Sequence, residues 1–199
     1  MNYVKGIVAI LFVISICICF TNTSSVFADD KLIPQNGKIT VSSKVKISFA
    51  YLRQSGRASN QFAVWIEDTT GKYIKTLYAT RFTAKGGWKN RPDSIPSWVK
   101  AAQASNLSNK QIDSITGATP SAGNLTYSWD CKDYNNNVVP AGKYRYRVEG
   151  TVRWKSRVLY TGTIKIGGPA QQSKAKIELY GDDADERNMI TNVAAEYYP

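Results

Sequence analysis

The sequence predicts an all-β protein: an antiparallel immunoglobulin-like β-sandwich of about seven strands, with one short helix and a long loop insertion. Two observations predict it, since apolar and polar residues alternate along several segments and turn-forming residues separate those segments. The clearest alternation lies in residues 37–53, where Val45, Ile47, Phe49 and Tyr51 are spaced by two. Such a segment turns one face towards a core and the other towards water.

A continuous apolar run at residues 62–66 is typical of a strand that is buried on both faces. Residues 68–71 supply a turn, and residues 73–82 return as a second strand. This order of strand, turn and strand predicts a β-hairpin.

The middle of the chain has a different pattern. Ser94 followed by Pro96 is typical of a helix start, and it predicts a short helix over 97–104 with Ser94 as the cap. A polar segment, 105–111, leads into residues 113–119, which we expect to form a loop.

Strands are predicted again at 125–129, 143–149 and 151–166, with a final short strand at 177–180. Turns are expected at 133–137 and 140–142, where Asn, Asp, Pro and Gly cluster. We expect residues 181–199, which begin with several acids, to form a loosely held tail.

The first residues predict export. Lys5 precedes an apolar run at 7–20, and Val26 and Ala28 occupy the positions that a signal peptidase reads. The predicted organisation is a signal peptide at 1–28, a linker at 29–36, a sandwich domain at 37–180 and a tail at 181–199. An uncleaved anchor helix is the alternative, although the run is short for a span of about 20 residues.

The composition restricts the chemistry. The chain has no histidine, which excludes Ser-His-Asp and Cys-His nucleophiles and histidine metal sites. Of its 3 cysteines, Cys17 and Cys19 leave with the signal peptide, so Cys131 remains without an intramolecular disulfide partner. We therefore expect no catalytic activity of its own. A carboxylate pair of Asp113 and Glu67 is the weaker, enzymatic alternative.

Positive charge is concentrated in the last long strands. The net charge of +11 falls to +10 (11 − 1) when the signal peptide and its one lysine are removed. Alternation places six cations on one sheet surface if these strands pair, and we call this set the cationic stripe: Lys143, Arg145, Arg147, Arg153, Lys155 and Arg157. Its expected partners are an anionic cell-wall polymer, lipid headgroups or an acidic redox protein, and not nucleic acid. A solvated outer face that discourages edge pairing is the alternative.

Several segments carry a resemblance to a known family. Residues 64–68 and 71–77, then 113–119, then Ala122-Gly123, Trp129-Asp130 and residues 139–144, resemble the bacterial exported family called domain of unknown function 2271. The last portion also resembles the immunoglobulin-like domain of the flagellar hook-capping protein. Cys131 departs from the pattern, because glycine is expected there. The family name implies no biochemical activity.

A second resemblance concerns residues 113–119. Asp113, Thr116, Gly117, Ala118 and Thr119 match the acceptor sequence of bacterial flavin transferase, Asp-x-x-Ser/Thr-Gly-Ala-Thr/Ser. The resemblance implies that FMN is joined to Thr119 through a phosphoester. The residue types suit the chemistry, because a threonine hydroxyl can attack a phosphoryl group once an enzyme and its metal polarise it. Gly117 and Ala118 let the backbone enter a narrow active site.

Covalent FMN would make the protein an electron carrier between a membrane redox protein and an external acceptor. Three tryptophans, Trp88, Trp98 and Trp129, are candidates to stack on the flavin ring. The alternative is an envelope-associated structural or binding module that uses the cationic stripe and holds no cofactor. On that interpretation residues 116–123 serve simply as a turn between strands.

Overall fold

The described residues form ten β-strands arranged in two sheets. In the computed structural model these residues are 43–55, 59–153, 155–181 and 188–199, and they belong to one compact unit. The predicted signal peptide and linker lie outside them. The strands are Lys44–Tyr51 (β1), Gln61–Asp68 (β2), Tyr73–Thr80 (β3), Thr116–Gly117 (β4), Gly123–Trp129 (β5), Gly142–Arg153 (β6), Ser156–Ile166 (β7), Gln171–Lys174 (β8), Lys176–Tyr180 (β9) and Ile190–Tyr198 (β10).

The two sheets enclose one apolar core. The four-stranded sheet has the order β5-β1-β10-β8 and the six-stranded sheet the order β4-β3-β2-β6-β7-β9. All neighbours are antiparallel except β3 and β4, which run parallel. Val45, Ile47 and Phe49 of β1 meet Val64 of β2 and Tyr146 of β6 in this core. The predicted all-β sandwich is therefore confirmed, and its immunoglobulin-like type stays a prediction.

Strand β2 is buried on both faces, as its apolar run predicted. Phe62 and Val64 point into the core between the sheets, and Ala63 and Trp65 point the other way into a second apolar cluster. The predicted hairpin is also confirmed, because β2 pairs antiparallel with β3. Double-sided burial follows from the helical segment that covers the outer face of the six-stranded sheet.

This segment, residues 81–115, is the helical insertion. The expectation of one helix in a long loop is corrected, since the insertion holds three short helices: Arg81–Ala84 (α1), Pro96–Ala101 (α2) and Asn109–Ile115 (α3). Single 3-10 turns lie at Gly87–Lys89 and Ala104–Asn106. None of the helices described in the structure has the length and apolar character needed to cross a lipid bilayer.

The predicted cap of α2 is wrong. Ser94 is buried, and its hydroxyl accepts a hydrogen bond from Thr83 at 3.3 Å. It lies one position before the cap position of the helix. Ile95 holds the cap position in the left-handed region, at φ 43°. Its N–H is bonded instead to the Thr151 hydroxyl of β6, at 2.9 Å.

The C-terminal prediction is also wrong. Residues 190–198 form β10, an interior strand of the four-stranded sheet that pairs with β1 and β8. Ile190, Val193, Ala195 and Tyr197 are buried in the core. The alternation of buried and exposed residues along β10 is interrupted, because Asn192 adopts φ 58° and the pairing with β1 shifts between Ser48 and Ala50. The acidic residues before the strand hid this pattern, and the domain extends to Tyr198.

The predicted break at Gly150 is absent, because β6 runs unbroken from Gly142 to Arg153. A Cβ on Gly150 would lie 2.6 Å from Cε of Met189 and 2.7 Å from Cδ1 of Ile190. The glycine therefore serves close packing of the C-terminal segment and not a turn.

Candidate functional site

The acceptor-like sequence begins on a helix, not in a loop. Helix α3 starts with a capping box, in which the Ser108 hydroxyl and the Gln111 side chain each bond the other's backbone N–H. Asp113 lies in the following turn of α3 with its side chain exposed. The helix ends at Ile115, so the expected loop is confined to residues after Gly117.

The next two residues are held at a sheet edge. Thr116 and Gly117 form β4, which pairs with Ala79 and Thr80 of β3. The Ala118 carbonyl then accepts a hydrogen bond from the Tyr78 hydroxyl at 3.2 Å. Burial raises the pKa of Tyr78 to about 12, so this hydroxyl keeps its proton at neutral pH. The backbone is therefore fixed up to the residue before Thr119.

Thr119 lies in the crossing between the two sheets. Its side chain is exposed, and within the described ranges it makes no hydrogen bond. Pro120 follows and favours an extended conformation for Thr119. The chain is anchored again at Gly123, which pairs with Tyr51 of β1 in the four-stranded sheet. A solvent-facing hydroxyl thus stands on a short segment between two fixed points.

The fold itself does not demand glycine at position 117. Gly117 is absent from the residues with positive φ, so its backbone suits any side chain. A Cβ there would approach Cε2 of Tyr78 at 3.4 Å, an ordinary contact. The absence of a side chain at position 117 is therefore not required by the backbone conformation or by packing.

An exposed aromatic side chain stands near this segment. Helix α1 follows β3 directly and packs against β4. Its Phe82 is 44% exposed, with the Arg91 guanidinium 5.4 Å from the ring centroid. Arg81 and Lys85 line the same shallow cavity of about 440 Å³. We call these four residues the Phe82 platform.

Two of the three tryptophans expected to stack on the flavin ring are buried. Trp98 and Trp129 are fully buried, Trp98 under the insertion and Trp129 between the sheets, so neither can stack on a surface ligand. Trp88 is half-buried against the cluster beneath the insertion, with the Lys89 ammonium 5.7 Å from its ring. Sequence reasoning missed Phe82, whose only signal was an apolar residue beside Arg81 and Lys85.

The cationic stripe is interrupted by acids. Strands β6 and β7 do pair, and their register places Lys143, Arg145, Arg147 and Arg157 on the outer face. Arg147 is paired with Glu67 at 3.3 Å and Arg157 with Glu149 at 2.7 Å, and both arginines are largely buried. The expectation of six cations on one surface overlooked these carboxylates, which share the parity of the arginines.

The other stripe residues differ in exposure. Lys143 and Lys155 are exposed, and Lys155 lies in the turn between the strands. Arg145 and Arg153 are half-buried. The stripe is therefore a mixed surface and not a continuous patch of free cations.

An open groove of about 1140 Å³ lies between the helical insertion and the outer sheet face. We call it the insertion groove. Tyr73, Thr76 and Arg147 of the sheet line it on one side, with Lys100 and Lys110 of the insertion on the other. The alternative carboxylate pair is not assembled there, because Glu67 lines the groove and Asp113 does not.

The backbone conformation at Cys131 is one in which glycine is expected. Cys131 adopts φ 54°, in the left-handed region that glycine favours, and its side chain is buried in the core. Burial, helped by the Asp130 charge, raises the pKa of the thiol to about 11. In the described parts of the chain, no group of three or more His, Cys, Asp or Glu side chains is arranged to hold a metal ion.

The fold and this surface define an all-β sandwich domain with a helical insertion on one sheet face. A family model described as "Predicted periplasmic protein (DUF2271)" matches residues 42–182, and the chain belongs to that family. The description agrees with the predicted export, so the protein is an exported one. Comparison with curated proteins and with solved structures yields no match. The hook-capping and flavin-acceptor resemblances stay predictions.

Proposed function

We propose that the protein is an extracytosolic electron carrier with FMN covalently attached at Thr119. The observation that carries this proposal is the solvent-facing Thr119 hydroxyl, held on a short crossing between two anchored strands within the acceptor-like sequence. Outside the cytoplasmic membrane a dissociable cofactor is lost by dilution, whereas a covalent one is retained. The FMN would supply the electron transfer and the chain would supply position and charge.

The attachment is a phosphoryl transfer. The Thr119 oxygen attacks the FMN phosphorus of FAD, a new P–O bond forms, the bond to the AMP phosphate breaks, and AMP leaves as the hydroxyl proton is lost. A flavin transferase with its metal activates the diphosphate. On this chain, Gly117 and Ala118 carry little or no side chain, so the acceptor backbone can enter a narrow active site, and the Tyr78 hydroxyl holds the Ala118 carbonyl next to Thr119.

We propose the Phe82 platform as the surface that such a group contacts, because helix α1 contacts β4. The platform offers one exposed ring, Phe82, and three cations, Arg81, Lys85 and Arg91. Aromatic faces stack on planar rings, and cations offset the charge of a phosphodiester and of a reduced flavin. Asp113 and Thr116 precede Thr119 in the sequence, and we assign them as recognition residues for the transferase.

The experiment is intact mass spectrometry after co-expression with a bacterial flavin transferase in the periplasm. The wild-type mass should rise by one FMN less one water, and Thr119→Ala should abolish the rise. Ser121→Ala is the matched control, because Ser121 is an exposed hydroxyl two residues away and should leave the adduct intact. An unlabelled wild type, in cells where a control acceptor is labelled, would overturn the proposal.

The second candidate is an envelope-associated binding module without a cofactor. The ion pairs of Arg147 and Arg157 weaken the cationic stripe as its binding surface. The insertion groove favours it instead, and its partner would be an anionic cell-wall polymer rather than lipid headgroups, because a groove admits a chain and a membrane surface is flat.

A further inference from the structure

We propose that the insertion groove binds an acidic saccharide chain. This inference deepens the second candidate and does not require FMN at Thr119. Ser114 and Ile115 of the acceptor-like sequence line the groove, but none of residues 116–119 does. Its volume of about 1140 Å³ exceeds the range of about 300–1,000 Å³ typical of small-molecule pockets. An open groove of this size suits an extended ligand.

The groove has unused positive charge. Lys72, Lys100 and Lys110 line it, are exposed, and in the described ranges form no ion pair. Two further cations are already partnered, Lys75 by Asp130 at 3.0 Å and Arg147 by Glu67 at 3.3 Å. Glu67 is the sole acid of the lining and Arg147 neutralises it. The three lysines therefore attract an anion.

The floor supplies a donor without a partner. Nε of Arg147 is buried and has no hydrogen bond, although the guanidinium is held in place by Glu67. The guanidinium carbon lies 5.7 Å from the centroid of the Trp65 ring, which fixes its plane further. This Nε has almost no surface accessible to solvent, so a ligand oxygen can accept a hydrogen bond from it only if the guanidinium moves.

An aromatic pair forms one lip of the groove. The Tyr73 and Tyr134 rings lie 6.4 Å apart at 34°, and Tyr134 is 59% exposed. Tyr73 is immobilised because its hydroxyl accepts the Thr76 N–H at 2.8 Å. The Tyr134 backbone N–H is bonded to the Ile74 carbonyl at 3.0 Å. An exposed aromatic ring on an anchored backbone, beside a second ring that is held by its hydroxyl, suits the apolar face of a sugar ring.

Amide side chains complete the lining. Gln103, Asn106 and Gln111 approach from the insertion and Asn136 from the sheet side. The oxygens of Gln103 and Gln111 already accept hydrogen bonds from Asn106 and Ser108. The remaining donors and acceptors of the amides match the hydroxyl groups of a saccharide better than the bare oxygens of a polyphosphate. Lysines for acid groups, amides for hydroxyls and an aromatic lip together specify a sugar chain that bears carboxylate or phosphate.

The test is titration calorimetry of the mature chain with a galacturonic acid oligomer, at two salt concentrations. Replacing Lys72, Lys100 and Lys110 together by glutamine should weaken binding by about tenfold, and the effect should shrink in high salt. The matched control replaces Lys143, Lys155 and Lys165, which are exposed outside the groove and remove the same charge. It should change the affinity by less than about twofold.

A second variant separates sugar recognition from charge. Tyr134→Ala should weaken the galacturonic acid oligomer and leave the binding of tripolyphosphate unchanged. Equal losses in both lysine triples, no binding at all, or tripolyphosphate binding as tightly as the oligomer with Tyr134→Ala silent would each overturn the proposal.

Discussion

The buried carboxylate of Glu149 in β6 accepts a hydrogen bond from the backbone N–H of Trp98 in α2 at 3.0 Å. The Ser97 N–H donates to the same group at 3.3 Å, and Arg157 forms its ion pair at 2.7 Å. A sheet residue therefore caps the first turn of α2, for which the helix has no side-chain cap of its own among the described residues. This contact joins the insertion to the sheet.

Glu149→Ala should lower the free energy of unfolding by about 3–5 kcal/mol, since it leaves Arg157 without its anionic partner and two helix N–H groups without an acceptor. Urea unfolding measures the loss. Asp130→Ala, which breaks the more exposed pair with Lys75, should cost less than about 1 kcal/mol. Equal losses in the two variants would contradict the structural role of Glu149.

Gly117→Ala should cost less than about 1 kcal/mol of stability, because the added Cβ meets only the Tyr78 ring at 3.4 Å. We expect it to slow flavin transfer to Thr119, since the added methyl narrows the approach. Gly150→Ala is the opposite case, with a Cβ 2.6 Å from Met189 and an expected cost of about 1–3 kcal/mol. Thermal unfolding and adduct yield check both, and a stable, fully labelled Gly117→Ala would remove the recognition argument.

The Cys131 thiol should react slowly with thiol reagents at pH 8 and rapidly in urea. Its pKa of about 11 leaves little thiolate, and the side chain is buried in the core. The rate at which a disulfide reagent releases its chromophore when it reacts with the thiol measures this. Fast labelling of the folded protein would show that residue 131 is accessible.

Ionisation of Tyr78 should lower the free energy of unfolding at alkaline pH. Its pKa is about 12 when folded against an ordinary value of 10.0, so its contribution is complete below pH 10 and is lost as pH rises towards 12. The pKa of the neighbouring Tyr127 is raised for the same reason, burial. Between pH 9 and 12, the urea concentration at the midpoint of unfolding should fall less steeply with pH for Tyr78→Phe than for wild type. Parallel curves would exclude this role for Tyr78.

In flavinylated protein, replacing Arg81 and Lys85 by glutamine should make the flavin midpoint potential more negative. Cations beside the ring stabilise the additional negative charge of the reduced form. Spectroelectrochemistry measures the shift, with the exposed pair Lys143 and Lys165 as the charge-matched control. An equal shift in the control would place the flavin away from the Phe82 platform.

Much of the fold was predictable from local pattern. The alternation of Val45, Ile47 and Phe49 predicted β1, and the apolar run at 62–66 predicted a strand covered on both sides. The strand at 190–198 escaped prediction because a bulge at Asn192 breaks its period of two. Strand β8 contains no apolar residue, so its sequence has no alternation that would predict a strand. It is recognised as a strand by its pairing with β10.

The candidate site divides in the same way. The acceptor-like residues were visible as a linear motif, but whether Thr119 is exposed depends on the sheet edges to which residues 116–117 and 123 are tied. The insertion groove had no sequence signal, since Lys72, Lys100 and Tyr134 are far apart in the chain. Their meeting follows from the packing of the insertion on the outer sheet face.

By itself the sequence determined the class of fold, the expected export and the absence of histidine chemistry, because side-chain periodicity and composition are local properties. The tertiary structure decided which charges are free. Arg147 and Arg157 share a strand face with Lys143 in the sequence pattern, yet Glu67 and Glu149 neutralise them. Charge depends on neighbours in space, and those are set by strand register and by the packing of the insertion.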